Sequence, residues 1–376
     1  MTNIGFDAKR VFTNSTGLGN YARSLLLGLA AKEKGNNFNL ILYSPNLEEN
    51  DRSKPFFNPS KFQLKTSDSF FKSAWRSRGI LKDLEKDNIQ IYHGLSQELP
   101  FGIHKTKITN VVTAHDIIFR KYPNQYAAAD RMMYHRKCQY AFQKGQHVIA
   151  ISEATKRDII EEYQIEEEKV SVIYQTCDSV FKRKATAAEK AVVRKKFNLS
   201  DQFILSVGSI IERKNLFNVV KAIQSSSKDL IPPLLIVGNG KSYKKKILKY
   251  VEEHQLETRV RFLENVTNLE LSILYQQASF LVYASIYEGF GIPIIEALST
   301  GIPVICSNIS SMPEAAGKAG LLVDPFNIED IKHKMELLSQ DHQLRLNLVK
   351  QSLHHLKKFE IQDISQKYLE FYQKII

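Results

Sequence analysis

Cysteine is scarce in this chain of 376 residues: Cys138, Cys177 and Cys306 are odd in number and far apart. That excludes a disulfide framework and a CxxC metal or redox pair, and it points to a reducing compartment. Long apolar runs are also missing. The most apolar stretches, 278–284 and 292–295, fall far short of the ~20 residues a membrane span needs. The first ten residues reach Lys9-Arg10 without an apolar core behind them, so no signal peptide is expected. No Asp-x-Asp occurs, and no His or Cys cluster has metal-ligand spacing, so no metal is expected either. These absences predict a soluble cytoplasmic protein, with a peripheral position at the inner membrane face left open.

What is present belongs to a folded chain. A hydrophobic share of 43% with 24% charged residues excludes a disordered or fibrous class. The length predicts two domains, since single cores stop growing at about 250–300 residues. Lys and Arg number 52 against 40 Asp and Glu, a net +12, which suits a polyanion: nucleic acid, an anionic membrane face or phosphorylated substrates. Residues 1–180 carry 25 basic and 20 acidic side chains and residues 181–376 carry 27 and 20, so the surpluses are +5 and +7. A surplus spread over both halves argues against a nucleic-acid-binding tail.

Short β-rich runs alternate with helix-length segments throughout. In the first half the runs are 4–6, 38–43, 89–92, 108–114, 147–151 and 170–174, with helical segments at 20–31, 69–86, 124–144 and 152–163. In the second half they are 203–207, 234–237, 260–263, 280–283, 304–306 and 321–323. This βαβ order predicts two doubly wound parallel sheets. Around 181–196 the pattern lapses into Lys, Ala, Thr and Glu, which places the boundary there. The expected organisation is an acceptor-binding Rossmann-like domain over 1–182, a nucleotide-sugar-binding one over 183–356, and a final helix over 357–376 that crosses back to the first. Two such domains are expected to face one another across a cleft that holds the chemistry.

One stretch carries the most chemistry: Glu288-Gly289-Phe290-Gly291, then Pro293, Glu296 and Gly301, directly after the run 280–283. A glycine-rich turn feeding a helix start offers free backbone N–H groups and a positive dipole end, suited to phosphate or sugar hydroxyls. Glu288 falls on the turn and Glu296 in the first helical turns, so both carboxylates can reach one pocket. Read alone, Glu296 is more readily an ordinary solvated acid or one pairing with the helix dipole.

The run from Glu288 to Glu296 resembles the E-x7-E signature of the family 4 glycosyltransferases, retaining nucleotide-sugar enzymes of GT-B fold. The resemblance extends over nearly the whole chain. Val207 to Asn215, Asn265-Val266, Ser311 to Glu314 and Gly320 to Pro325 are similar to the family's second-domain blocks. Gly17 to Tyr21, His93 to Ser96, Thr113 to Asp116 and Ala150 to Glu153 fall where it has its acceptor-domain loops. Gly17-Leu-Gly19-Asn-Tyr-Ala22 also fits G-x-G-x-x-A, but that dinucleotide fingerprint needs its first Gly directly after the strand, and here a loop of about ten residues intervenes.

The resemblance implies a set of roles. His115 and Glu288 would serve at the reacting centre, with Asp116 as general base, as a group orienting His115, or as a cap on the next segment. Donor binding would fall to Gly17, Gly19, Ser209, Arg213, Lys214, Val266, Gly289, Phe290, Gly291 and Glu296. Arg213 and Lys214 would neutralise the departing diphosphate without a metal, Glu296 would hold the ribose, and Gly19 would let the backbone approach the donor phosphates. Many family members carry Arg where Ser209 stands, so Arg213 would supply the second cation. His93 reads as a weaker candidate that packs beneath the site.

The expected activity is metal-independent transfer of a hexose, with mannose from GDP-mannose favoured and UDP as the other nucleotide considered. The acceptor would be a saccharide or lipid-linked saccharide of a surface glycan. No cofactor beyond the nucleoside diphosphate sugar is implied. A nucleotide-sugar epimerase of the same fold and an inactive nucleic-acid-binding relative are the alternatives. Residues 70–82 mix Phe70, Phe71 and Trp75 with Lys72, Arg76, Arg78 and Lys82, either an interfacial helix for anionic membrane or a half-buried packed one. Lys244 to Lys246 and Lys249 read as a solvated face.

Overall fold

A computed structural model describes residues 1–32, 38–67 and 70–376. They form two compact units, Met1–Thr176 with Phe359–Ile376, and Cys177–Lys358. The strands of the first unit are β1 (Thr2–Asp7), β2 (Phe38–Tyr43), β3 (Gln63–Lys65), β4 (Ile91–Gly94), β5 (Thr109–Ala114), β6 (His147–Ala150) and β7 (Val170–Val172). They lie side by side in the order β3-β2-β1-β4-β5-β6-β7, every pair parallel. The second unit has β8 (Ile204–Val207), β9 (Leu234–Val237), β10 (Val260–Leu263), β11 (Leu281–Tyr283), β12 (Val304–Ser307) and β13 (Gly320–Val323). Their order is β10-β9-β8-β11-β12-β13, again parallel. Each sheet winds outward in both directions, so its order reverses between β1 and β4, and between β8 and β11. In open α/β sheets, ligands bind beyond the carboxyl ends of the strands at such a reversal.

Helices cover both faces of these sheets, so the strands read as unbroken apolar runs such as Leu234-Leu235-Ile236-Val237. Only β3 has no counterpart among the expected runs. It is an edge strand, Gln63-Leu64-Lys65, paired with β2 alone, and polar residues that suit an edge erase the buried-strand signal. The lapse at 181–196 is largely a helix, Ala187–Phe197, opened by a capping box between Thr186 and Glu189. Only Val193 and Phe197 of that helix are buried, too few to give a strong 3.6-residue period.

The last helix, Ile361–Lys374, belongs to the first unit. It buries Ile364, Tyr368, Leu369 and Tyr372 in the same core as Tyr21, Leu25, Leu26 and Leu29 of the helix Gly17–Ala30.

Residues 70–82 depart from the interfacial helix considered above; residue 69, where the helical segment 69–86 was expected to begin, lies outside the described residues. Lys72–Ala74 and Ile80–Lys86 are α-helical, joined by a π turn at Trp75–Gly79. Trp75 is buried, and its indole N–H donates to Asp83 Oδ2 at 2.6 Å. The Arg76 guanidinium donates to Asp7 Oδ1 at 3.1 Å and pairs with Glu98. Two side chains expected at a lipid surface are thus engaged within the unit; of the three aromatics Phe70 and Phe71 stand out, 93% and 71% exposed, and Lys72, Arg78 and Lys82 are exposed as well. Among the described residues no helix is long and apolar enough to cross a membrane.

Trp75→Ala is expected to cost about 3–5 kcal/mol, because a buried indole leaves a cavity. Phe70→Ser should change stability by no more than about 0.5 kcal/mol. Urea midpoints measure both, and equal losses would show that Trp75 is not packed in this way.

Candidate functional site

The second unit builds its site from the loops that leave β8 and β11, the two strands at its reversal. After β8 the chain passes Gly208 and the exposed Ser209 into a 3-10 turn, Glu212–Lys214, which presents Arg213 and Lys214. After β11 it passes Tyr287 and Glu288 to Gly289-Phe290-Gly291 and the helix Ile292–Thr300. Gly291 caps that helix at φ +104°, a left-handed conformation that glycine adopts without strain. Pro293 occupies the first turn, where its missing N–H costs nothing. The two loops are clamped together: Ile286 N–H donates to the Arg213 carbonyl at 2.8 Å, and Arg213 Nη1 donates back to the Tyr287 carbonyl.

Glu288 sits between the two cations. Its Oε1 is 2.8 Å from Arg213 Nη1 and 2.6 Å from Lys214 Nζ. Burial alone would raise the Glu288 carboxyl, but Lys214 and Arg213 outweigh it and hold it below the usual carboxylate value. Burial also lowers the Lys214 ammonium, against the pull of Glu288. Lys214 Nζ donates to the Tyr283 hydroxyl and lies 4.6 Å from the centre of that ring. The Glu288 backbone is held as firmly, its carbonyl accepting from Ser310 Oγ at 2.8 Å and Ser311 Oγ at 2.9 Å.

Glu296, in the second turn of the helix Ile292–Thr300, accepts a hydrogen bond from the Tyr275 hydroxyl at 3.1 Å. Burial raises its carboxyl to about 7, with Lys214 near enough to oppose the shift. Gly289 and Phe290, in the turn itself, are buried, and Val266 is half-buried in the loop after β10. A shallow cavity runs between Gly208, Ser209, Lys214 and Tyr283. Arg213, Lys214, Glu288 and Glu296 therefore come together at one sheet edge. Tyr283, Tyr275 and Ser310, which steady them, were not singled out from the sequence; the place of Tyr283 at the end of β11 was the available signal.

The first unit carries a different chemistry. His115 follows β5 and is buried, its Nε2–H donating to the Leu95 carbonyl at 2.9 Å. A carbonyl only accepts, so that bond fixes the proton on Nε2 and leaves Nδ1 as an acceptor. Burial lowers the ring to about 4, so it is neutral near pH 7. A neutral acceptor nitrogen suits a substrate hydroxyl. Tyr21 packs edge-on against this ring at 4.7 Å, and its hydroxyl bonds to Thr113 Oγ1 at 2.9 Å and Tyr368 Oη at 2.6 Å. His93 lies beneath, bonded to Tyr372 Oη at 2.7 Å and Thr113 Oγ1 at 2.8 Å. Asp116 Oδ1 accepts the Ile118 N–H at 3.0 Å, the capping arrangement considered above.

Gly17 is exposed at the start of its helix, with nothing within 4 Å of an added Cβ. Gly19 is different. A Cβ there would lie 2.0 Å from the Asn14 carbonyl oxygen, so the close approach that requires this glycine is to its own chain.

Two family descriptions cover most of the chain: Glycosyltransferase Family 4 over residues 15–179 and Glycosyl transferases group 1 over residues 188–355. Among curated relatives, the O-antigen chain mannosyltransferase B of Escherichia coli is 31% identical over 67% of this chain and 66% of its own length. The O-antigen chain mannosyltransferase RfbU of Salmonella typhimurium is 32% identical over 57% of this chain and 56% of its own. The matches thus span between about half and two thirds of these relatives. The sucrose-phosphate synthase of Thermosynechococcus elongatus superposes with a TM-score of 0.77 at 19% identity, covering 100% of this chain and 99% of its own. HepE of Anabaena, in complex with UDP and glucose, gives 0.72 at 17%, covering 99% of each chain. These structures share the GT-B fold. With both halves matched in order and both units folded accordingly, the chain belongs to the group 1 and family 4 glycosyltransferases.

Proposed function

We propose that the protein is a retaining hexosyltransferase of surface-glycan biosynthesis that takes mannose from GDP-mannose and passes it to a saccharide or lipid-linked saccharide. The observation that carries the reading is the ion-paired trio of buried Arg213 and Glu288 with half-buried Lys214 at the edge of β8 and β11. Two preorganised cations suit the charge that develops on a departing diphosphate, and groups already fixed need no reorganisation as the bond breaks. The names of the O-antigen mannosyltransferases support the sugar and the glycan class.

In this mechanism the bond from sugar C1 to the diphosphate oxygen breaks while the acceptor oxygen bonds to C1 on the same face. The acceptor proton passes to the departing phosphate oxygen. Glu288 positions the sugar and stabilises its developing positive charge. His115 Nδ1 accepts a hydroxyl of the donor sugar, and Glu296 accepts the ribose hydroxyls. Arg213 and Lys214 do the work that a divalent cation does elsewhere.

Thermal shift tests the reading directly. GDP is expected to stabilise the protein with EDTA present, by about 2.7 kcal/mol at a hundred times its dissociation constant. Loss of that shift in EDTA, with recovery on adding magnesium, would overturn the metal-free account. Release of a free epimerised sugar without transfer to any acceptor would favour the epimerase.

Glu288→Gln should lower turnover by about 10²–10³ while leaving GDP affinity within a few-fold, because its charge acts mainly in the transition state. A weakening of GDP binding as large as the loss of turnover would contradict that role.

Glu296 supplies a pH test. With its carboxyl at about 7, the ionised form that accepts two ribose hydroxyls prevails only above that value. GDP affinity is expected to rise as pH increases from 6 to 8, by at most about tenfold per unit. Glu296→Gln should bind more weakly and evenly across that range. A flat wild-type profile by calorimetry would remove Glu296 from the ribose site.

A further inference from the structure

The reversal of the first sheet, between β1 and β4, also carries unbalanced positive charge. The chain leaves β1 through Asp7 and Ala8 into a short helix, Lys9–Thr13, whose Val11 and Phe12 are anchored in the core. Arg23 Nη1 fixes that backbone by donating to the carbonyls of Val11 at 3.0 Å and Asn14 at 2.8 Å. Lys9 and Arg10 are therefore held half-buried at the carboxyl edge of the sheet. The carboxylates nearby are already engaged: Asp7 with Arg76, and Glu98 with Arg76 and with Lys137 at 3.2 Å. Asp116, two strands along at the end of β5, caps Ile118. Among the described residues the side chains of Lys9 and Arg10 have no hydrogen-bond or ion-pair partner, and Arg10 Nε is a buried donor left unmatched. On the neighbouring loop, after β4, the Ser96 hydroxyl is likewise buried and unmatched.

Half-buried like charges side by side are unfavourable unless an anion joins them. Burial, Arg76 and Arg10 together lower the Lys9 ammonium despite Glu98 and Asp7. His115, neutral and close enough to feel Arg10, is not the counter-ion.

We propose that Lys9 and Arg10, with the Ser96 hydroxyl on the adjoining loop, form a subsite for a phosphoryl group at the carboxyl edge of β1 and β4. The guanidinium fork and the ammonium supply charge-assisted donors, and the hydroxyl supplies a neutral one. The assignment rests on the glycosyltransferase reading for its two sources of such a group: the diphosphate of the sugar donor, or the diphosphate that joins a saccharide acceptor to a lipid.

Calorimetric titration of the full chain with GDP and with a short prenyl diphosphate, in EDTA, separates them. Arg10→Gln with Lys9→Gln is expected to weaken one of the two ligands by about tenfold or more, as loss of hydrogen bonds to a charged group does. Weakening of the prenyl diphosphate alone assigns the subsite to a lipid-linked acceptor, and weakening of GDP assigns it to the donor. Arg10→Lys, which keeps the charge, should retain most of the affinity; an equal loss there with an unchanged urea midpoint would reject the charge-based account. Arg213→Gln serves as the reference for the donor site. If it weakens GDP while the double variant leaves both ligands within twofold, the subsite is refuted and the functional reading stands. If Arg213→Gln leaves GDP unchanged, the functional reading fails instead.

Discussion

A carboxylate buried between two cations governs the second unit. Neither Glu288 nor the pair Arg213 and Lys214 is tolerable alone in a buried place, because an unpartnered charge there costs several kcal/mol. Their mutual attraction draws the loops after β8 and β11 into one rigid edge, reinforced by the exchange of backbone hydrogen bonds between Arg213, Ile286 and Tyr287. Ser310 and Ser311 pin the Glu288 carbonyl from a third loop. An uncharged trio of the same shape would pack as well or better, so the ionic one is better explained by what it binds than by the stability it adds.

The first unit depends on a neutral network instead. Hydroxyls of Tyr368 and Tyr372, carried by the last helix, meet Tyr21, Thr113 and His93 inside the core. Buried polar groups that are all satisfied permit one packing and penalise the others. The end of the chain is thereby part of the first unit, and Tyr21, held at its hydroxyl, keeps its ring against His115.

Both sheets place cations at the point where strand order reverses, Lys9 and Arg10 after β1, Arg213 and Lys214 after β8. The two pairs differ in their neighbours. In the second unit a carboxylate lies against both cations; in the first the carboxylates are taken by Arg76 and Lys137. Trp75 and Arg76 show the same principle from the other side. Aromatic and basic residues that read as a lipid-facing helix are drawn inward because an indole N–H and a guanidinium found carboxylates there.

The order of amino acids was enough to set the alternation of strands and helices, because strands covered on both faces need unbroken apolar runs. It also determined the glycine turn before Ile292 and the placing of Glu288, Glu296, Arg213 and Lys214 at strand ends. It missed β3 and the helix Ala187–Phe197, whose residues are too polar to show a period. The folded chain settled which charges meet: that Glu288 lies between Arg213 and Lys214, that Arg76 turns to Asp7 and Glu98, and that the side chains of Lys9 and Arg10 find no partner among the described residues. The contacts of Arg76 with Asp7 and of Arg213 with Tyr287 join residues 69 and 74 positions apart in the chain, and no local pattern encodes them. The physical reason is that apolar periodicity fixes which face of an element is buried, whereas the pairing of charges depends on which loops the strand order brings together.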